Sequence, residues 1–116
     1  MAADFSSEAK IGGGATVEVS LNATGTNVVE VTLPKWCRSA NARGEDNTGA
    51  AASFRFARSG TDGASQVSDA FTVDSGAVYP IIIAPGRSRQ TRDADRKIFV
   101  SGSNSGKVRI ALREED

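Results

Sequence analysis

The sequence predicts an all-β fold, a two-sheet antiparallel sandwich of immunoglobulin-like or jelly-roll type with 7–8 strands. Three observations point there. Apolar and polar residues alternate in Thr16–Leu21, Val29–Leu33, Phe54–Arg58 and Lys107–Leu112, which sends one set of side chains to a core and the other to water. Turn-forming clusters separate these runs at spacings of roughly 8–15 residues. The third is the lack of a strong amphipathic helical pattern; Ala64–Ala70 is the single weak candidate.

Taken in order, residues 1–14 read as a flexible N-terminal arm ending in Gly12-Gly13-Gly14. A first strand follows at about 15–22. Ala23-Thr24-Gly25-Thr26-Asn27 supplies turn residues, so this strand and Val28–Leu33 are expected to form a hairpin. Pro34 has no N–H to donate and stops the second strand, leaving Trp36–Ser39 as a short edge strand or a corner. Residues 40–50, with Gly44, Asp46, Asn47 and Gly49, read as a polar loop. Ala51–Arg58 reads as a central strand, and Phe71–Val73 as a short one. Val78–Ile83 is almost continuously apolar with Pro80 near its start, which fits a strand buried on both faces or lying at an edge. After a polar loop over 84–96, Ile98–Ser101 and Lys107–Arg113 are expected to close the fold as a hairpin, and Glu114–Asp116 is an acidic tail. The whole reads as one sandwich domain over 15–113.

Composition restricts function more than it assigns it. Formal net charge is zero, so no surplus of Lys and Arg recommends nucleic acid or an anionic membrane as partner. With no histidine and one cysteine, Ser-His-Asp and Cys-His nucleophile systems are excluded, as are the usual four-ligand zinc sites and an internal disulfide. No cofactor is implied, and the expectation is a non-enzymatic protein. The polar, acidic start resembles neither a secretory signal nor a membrane anchor, so synthesis in a cytoplasm is expected. Leu, Ile, Val and Phe make up 24 of the 116 residues, a thin supply that a neighbouring subunit could supplement.

The motifs that could carry chemistry are weak. Gly12-Gly13-Gly14 lacks the Lys-Ser or Lys-Thr of a phosphate loop, and a strand follows it. Asp93-Ala94-Asp95 opens like a calcium loop, but Lys97 and Ile98 stand where a ligand and the sharp-turn glycine belong. Glu45, Asp46, Asp62, Asp69 and Asp74 mostly neighbour Gly or Ser and read as turn formers rather than a catalytic carboxylate pair. Asn22-Ala23-Thr24 matches a glycosylation acceptor but reads as an ordinary turn. Arg87, Arg89, Arg92, Arg96 and Lys97 are the main charge cluster. They form either a solvated loop or a patch for docking an acidic protein, with no interleaved aromatic residue to stack on bases. Trp36 and Tyr79 are candidate interface aromatics, and Cys37 a small buried apolar group.

Phe71-Thr72-Val73, Val78-Tyr79-Pro80-Ile81, Ala84-Pro85-Gly86-Arg87-Ser88-Arg89, Ile98-Phe99-Val100-Ser101-Gly102 and Val108-Arg109-Ile110 together resemble the small structural proteins of tailed bacteriophage particles. The likeness covers residues 70–113, and within that group capsid decoration or cement proteins are most similar. The resemblance implies a virion structural protein made in the host cytoplasm and located on the capsid surface. Its partner would be the major capsid protein, and the subunits would form a homo-oligomer such as a trimer. Phe5 and Ile11 are then candidate arm contacts. The alternative reading is a carbohydrate- or receptor-binding module of a phage tail or cell surface, which would need Trp36 and Tyr79 exposed.

Overall fold

The computed structural model describes residues 3–21, 28–63, 71–83, 96–102 and 106–114. Nine strands run in chain order: β1 (Ala3–Asp4), β2 (Gly14–Ser20), β3 (Val29–Thr32), β4 (Ser39–Glu45), β5 (Phe54–Ala57), β6 (Phe71–Val73), β7 (Tyr79–Ile82), β8 (Lys97–Gly102) and β9 (Lys107–Arg113). They form a five-stranded sheet, β1-β3-β8-β5-β6, and a four-stranded sheet, β2-β9-β4-β7. Every pairing is antiparallel except the short β1–β3 contact, Ala3 with Val31 and Asp4 with Thr32. Two strongly antiparallel sheets without a helix among the described residues make the sandwich that the alternating runs imply.

The alternation buries one side of each strand. Val17 and Val19 of β2, Val108, Ile110 and Leu112 of β9, and Ala40 and Ala42 of β4 face Val29, Val31, Phe54, Phe56, Ile98 and Val100 of the other sheet in one continuous core. Strand β8 is covered on both faces. Phe99 turns outward from the core and packs with Val28 and Ala57, and Gly60 lies so close over its ring that a Cβ there would sit 3.3 Å from Cδ2.

Three expectations fail. The runs at 15–22 and 28–33 are not a hairpin: β2 pairs with β9, while β3 pairs with β8 in the opposite sheet. The same holds for the final pair, since β8 and β9 belong to different sheets. In both places the chain passes from one sheet to the other, which alternating strands permit as readily as a hairpin, since either way one face of each strand is buried. Residues 40–50 are not wholly a loop, because Ser39–Glu45 is β4, an interior strand held between β9 and β7. Its inward residues, Ala40, Ala42 and Gly44, are small and carry little apolar signal. Gly44 has no room for a side chain, because a Cβ there would run into the carbonyl oxygen of Ala52 and approach Phe54 Cδ1 to 2.9 Å.

Residues 3–13, read as an arm, follow the sandwich closely over their described length. Phe5 N–H donates to Thr32 O at 2.9 Å, and Ala3 and Phe5 pack against the core. Gly12 and Gly13, at φ 63° and 88°, make a tight turn that pairs Ile11 with Gly14; two successive positive φ values define the primed turn that suits hairpins. The helical candidate 64–70 lies outside the described residues.

Candidate docking surface

The two sheets meet at one flank through β6 and β7. Phe56, Phe71 and Tyr79 form a ring cluster there, with centroids 5.7 Å apart for Phe56–Phe71, 4.9 Å for Phe56–Tyr79 and 5.0 Å for Phe71–Tyr79. Such tilted and edge-on contacts suit the quadrupoles of aromatic rings. Beside this cluster the flank exposes three of the four large apolar side chains that reach water among the described residues: Phe71 at 42%, Val78 at 57% and Ile82 at 58%.

The backbone of the β7 edge is poorly suited to strand addition. Ile83 N–H donates to Arg38 O, so by the alternation of an antiparallel ladder Tyr79 and Ile81 also aim their backbones at β4, while Pro80 and Ile82 aim theirs outward. Pro80 has no N–H, and Ile82 O accepts a hydrogen bond from Arg58 Nη1 at 3.2 Å. Proline and a charged side chain on an outer edge are common devices against edge pairing. Besides Pro80 O and Ile82 N–H, the β7 edge offers mainly apolar side-chain surface.

Val78 also forms one wall of a shallow groove of about 310 Å³ on the outer face of the four-stranded sheet, with Thr16, Asn41 and Ala111 along its floor and Arg43 and Arg109 beside it. The guanidiniums belong to an ion-pair ladder. Arg109 Nε donates to Glu45 Oε2 at 2.7 Å, Arg109 Nη2 lies 3.2 Å from Glu18, Lys107 Nζ lies 3.2 Å from Glu18, and Arg43 Nη2 reaches Glu45 at 3.5 Å. The hydrogen bond that Arg109 donates to Glu45, with the charges of Glu45 and Glu18, raises the Arg109 pKa further.

The residues singled out from the sequence are scattered rather than gathered. Arg96 is 3% exposed at the start of β8, and half-buried Lys97 lies 3.8 Å from Glu30; Arg87, Arg89 and Arg92 lie outside the described residues. Trp36 is half-buried against the core and its Nε1 donates to Glu8 O at 2.8 Å. Tyr79 is half-buried in the ring cluster. Phe5 is half-buried, whereas Ile11, at the tip of its turn, is 87% exposed. Two of the carboxylates serve turns and edges: Asp46 Oδ1 accepts from Thr48 Oγ1, Thr48 N and Ala50 N, and Asp62 Oδ1 accepts from Glu30 N. The Thr48 hydroxyl and these backbone N–H groups lower the Asp46 pKa. Among the described residues no three His, Cys, Asp or Glu side chains converge as a metal site.

The exposed pair Val78 and Ile82 was not among the sequence-derived candidates. Pro80, read as an edge marker, was the signal that could have found it. Comparison with protein-family models, curated proteins and solved structures gave no match.

Proposed function

We propose that the chain is a non-enzymatic structural protein of a bacteriophage particle, a capsid decoration or cement subunit that binds the major capsid protein through the β6–β7 flank. One observation carries this reading. Val78 and Ile82 are more than half exposed beside a strand edge where Pro80 lacks an N–H and Arg58 occupies the Ile82 carbonyl. That arrangement resists open-ended strand pairing while offering apolar side chains, as a subunit present in many copies on a protein shell requires. Docking buries those side chains together with Phe71 and brings the Val78 wall of the groove against the shell.

The carbohydrate-binding reading needs open aromatic platforms. Trp36 and Tyr79 are both half-buried and packed on the core, so neither offers a full ring face. The test is co-sedimentation of the purified protein with undecorated phage heads, alongside a glycan array. Saturable attachment to heads supports the proposal; glycan binding without attachment to heads replaces it.

A further inference from the structure

We infer that two copies of this chain pair edge to edge along β2, joining their four-stranded sheets into one continuous sheet. The inference does not rest on the virion reading. Of the four sheet edges, β1 has two residues, β6 has three, and β7 carries Pro80 and has its Ile82 carbonyl taken by Arg58. Strand β2 has seven residues and neither proline nor a bulge in its ladder with β9. Leu21 N–H donates to Gly106 O and Glu114 N–H donates to Gly13 O. These bonds fix the alternation, so the odd-numbered residues of β2 aim their backbones at β9 and the even-numbered ones aim outward. Gly14 spends its outward groups on Ile11. The outward N–H and C=O groups of Thr16, Glu18 and Ser20 make no hydrogen bond among the described residues.

The sequence of this window identifies the occupant. Thr16-Val17-Glu18-Val19-Ser20 reads almost the same in both directions: hydroxyl, valine, glutamate, valine, hydroxyl. Antiparallel pairing about a two-fold axis at Glu18 sets Thr16 against the partner's Ser20, Val17 against the partner's Val19 and Glu18 against the partner's Glu18. Isologous interfaces require this kind of self-complementarity, and facing hydroxyls and valines are favourable cross-strand neighbours. The two facing carboxylates oppose pairing, but each has Lys107 and Arg109 at 3.2 Å, the latter shared with Glu45, so both are screened by neighbouring cations.

The window is bounded as well as symmetric. The Ile11–Gly14 turn occupies the edge before Thr16, and the strand itself ends at Ser20. The two-fold contact uses both β2 edges, so assembly through this edge stops at two, and the joined sheet would end on both sides in β7, where Pro80 and Arg58 disfavour further growth. Two-fold pairing gives an even number of subunits, in place of the trimer that the phage resemblance implies.

Light scattering coupled to size exclusion, from about 1 to 100 μM, tests the pairing. The intact protein is expected at twice the 12.1 kDa chain mass. Thr16→Pro and, separately, Ser20→Pro each remove an outward N–H without removing a hydrogen bond to β9; at least one should keep the strand circular-dichroism signal and run at the single-chain mass. Register is read by disulfide trapping in a Cys37→Ser background: Glu18→Cys should cross-link to its symmetry mate under mild oxidation, and Thr16→Cys, opposite the partner's Ser20, should not. A single-chain mass for the intact protein over the whole range overturns the inference, including the case in which this edge serves a foreign strand. A dimer that survives in a folded proline variant overturns it too, as does equal cross-linking of the two cysteine variants.

Discussion

Phe71 and Tyr79 meet edge to face with ring centroids 5.0 Å apart, and this contact ties the last strand of one sheet to the last strand of the other. Phe56 completes the cluster from the core side. Replacing Tyr79 by Ala removes two ring contacts and leaves a hollow between the sheets, which should lower unfolding free energy by about 2–3 kcal/mol. Phe71→Ala, from an exposed position, should cost about 1 kcal/mol. Urea titrations of the two variants give the comparison, and a loss well under about 1 kcal/mol in both would mean that the rings do not bind the sheets together here.

Gly44 and Gly102 make a sharper pair. An alanine methyl at 44 collides with the backbone oxygen of Ala52, which is fixed by its own hydrogen-bonded segment. At 102 the closest atom is Leu21 Cδ1 at 2.9 Å, the movable end of a side chain, with Phe54 Cβ next at 3.3 Å. Gly44→Ala should therefore destabilise by about 2–3 kcal/mol and Gly102→Ala by about 1 kcal/mol or less, as measured by denaturant midpoint.

Burial pushes the Cys37 thiol up to about 11 from an ordinary 9.0, against the opposing effect of backbone hydrogen bonds. A raised pKa in the folded state means that stability is fully present below pH 9.0 and declines as pH climbs toward about 11, because the unfolded thiol ionises first. The fall in denaturant midpoint across that window should be shallower in Cys37→Ala than in the intact protein. Alkylation of the native thiol at pH 8 should be slow and become fast on unfolding. Identical slopes for the two proteins would show that the thiol is not desolvated.

Deleting residues 2–12 tests how much of the N-terminal segment is structural. The deletion removes β1, the Phe5 contact with the core and the Glu8 carbonyl that accepts from Trp36 Nε1. A lower thermal midpoint and a red-shifted Trp36 emission are expected, both reporting water at the newly opened flank. An unchanged midpoint and spectrum would show that the segment behaves as a free arm.

How much of this was legible follows the size of the inward side chains. The period-two runs with Val, Ile, Leu or Phe on the inner face, such as Thr16–Leu21 and Lys107–Leu112, announce their strands. Ser39–Glu45 does not, because Ala40, Ala42 and Gly44 bury little surface and their neighbours Arg43 and Glu45 look like loop residues. Sheet membership is also hidden. A Gly- and Asn-rich linker between two alternating runs suits a hairpin within one sheet, and it suits equally a crossing between two, and only the facing partners of Leu21 and Gly102 decide. The docking flank was obscured for a related reason: Val78–Ile83 reads as uniformly apolar, although β7 lies at an edge and turns Ile81 inward and Ile82 outward.

The most direct measurement of the docking proposal compares Val78→Glu/Ile82→Glu with Ile11→Glu in the head co-sedimentation assay. Each set places charge on exposed apolar positions, so both proteins should keep the strand signal and midpoint of the parent. Attachment through the β6–β7 flank predicts that the double variant loses binding by at least tenfold, equivalent to about 1.4 kcal/mol, while Ile11→Glu binds as the parent does. Undiminished binding of the folded double variant, or a loss confined to Ile11→Glu, would contradict it and move the contact to the N-terminal turn.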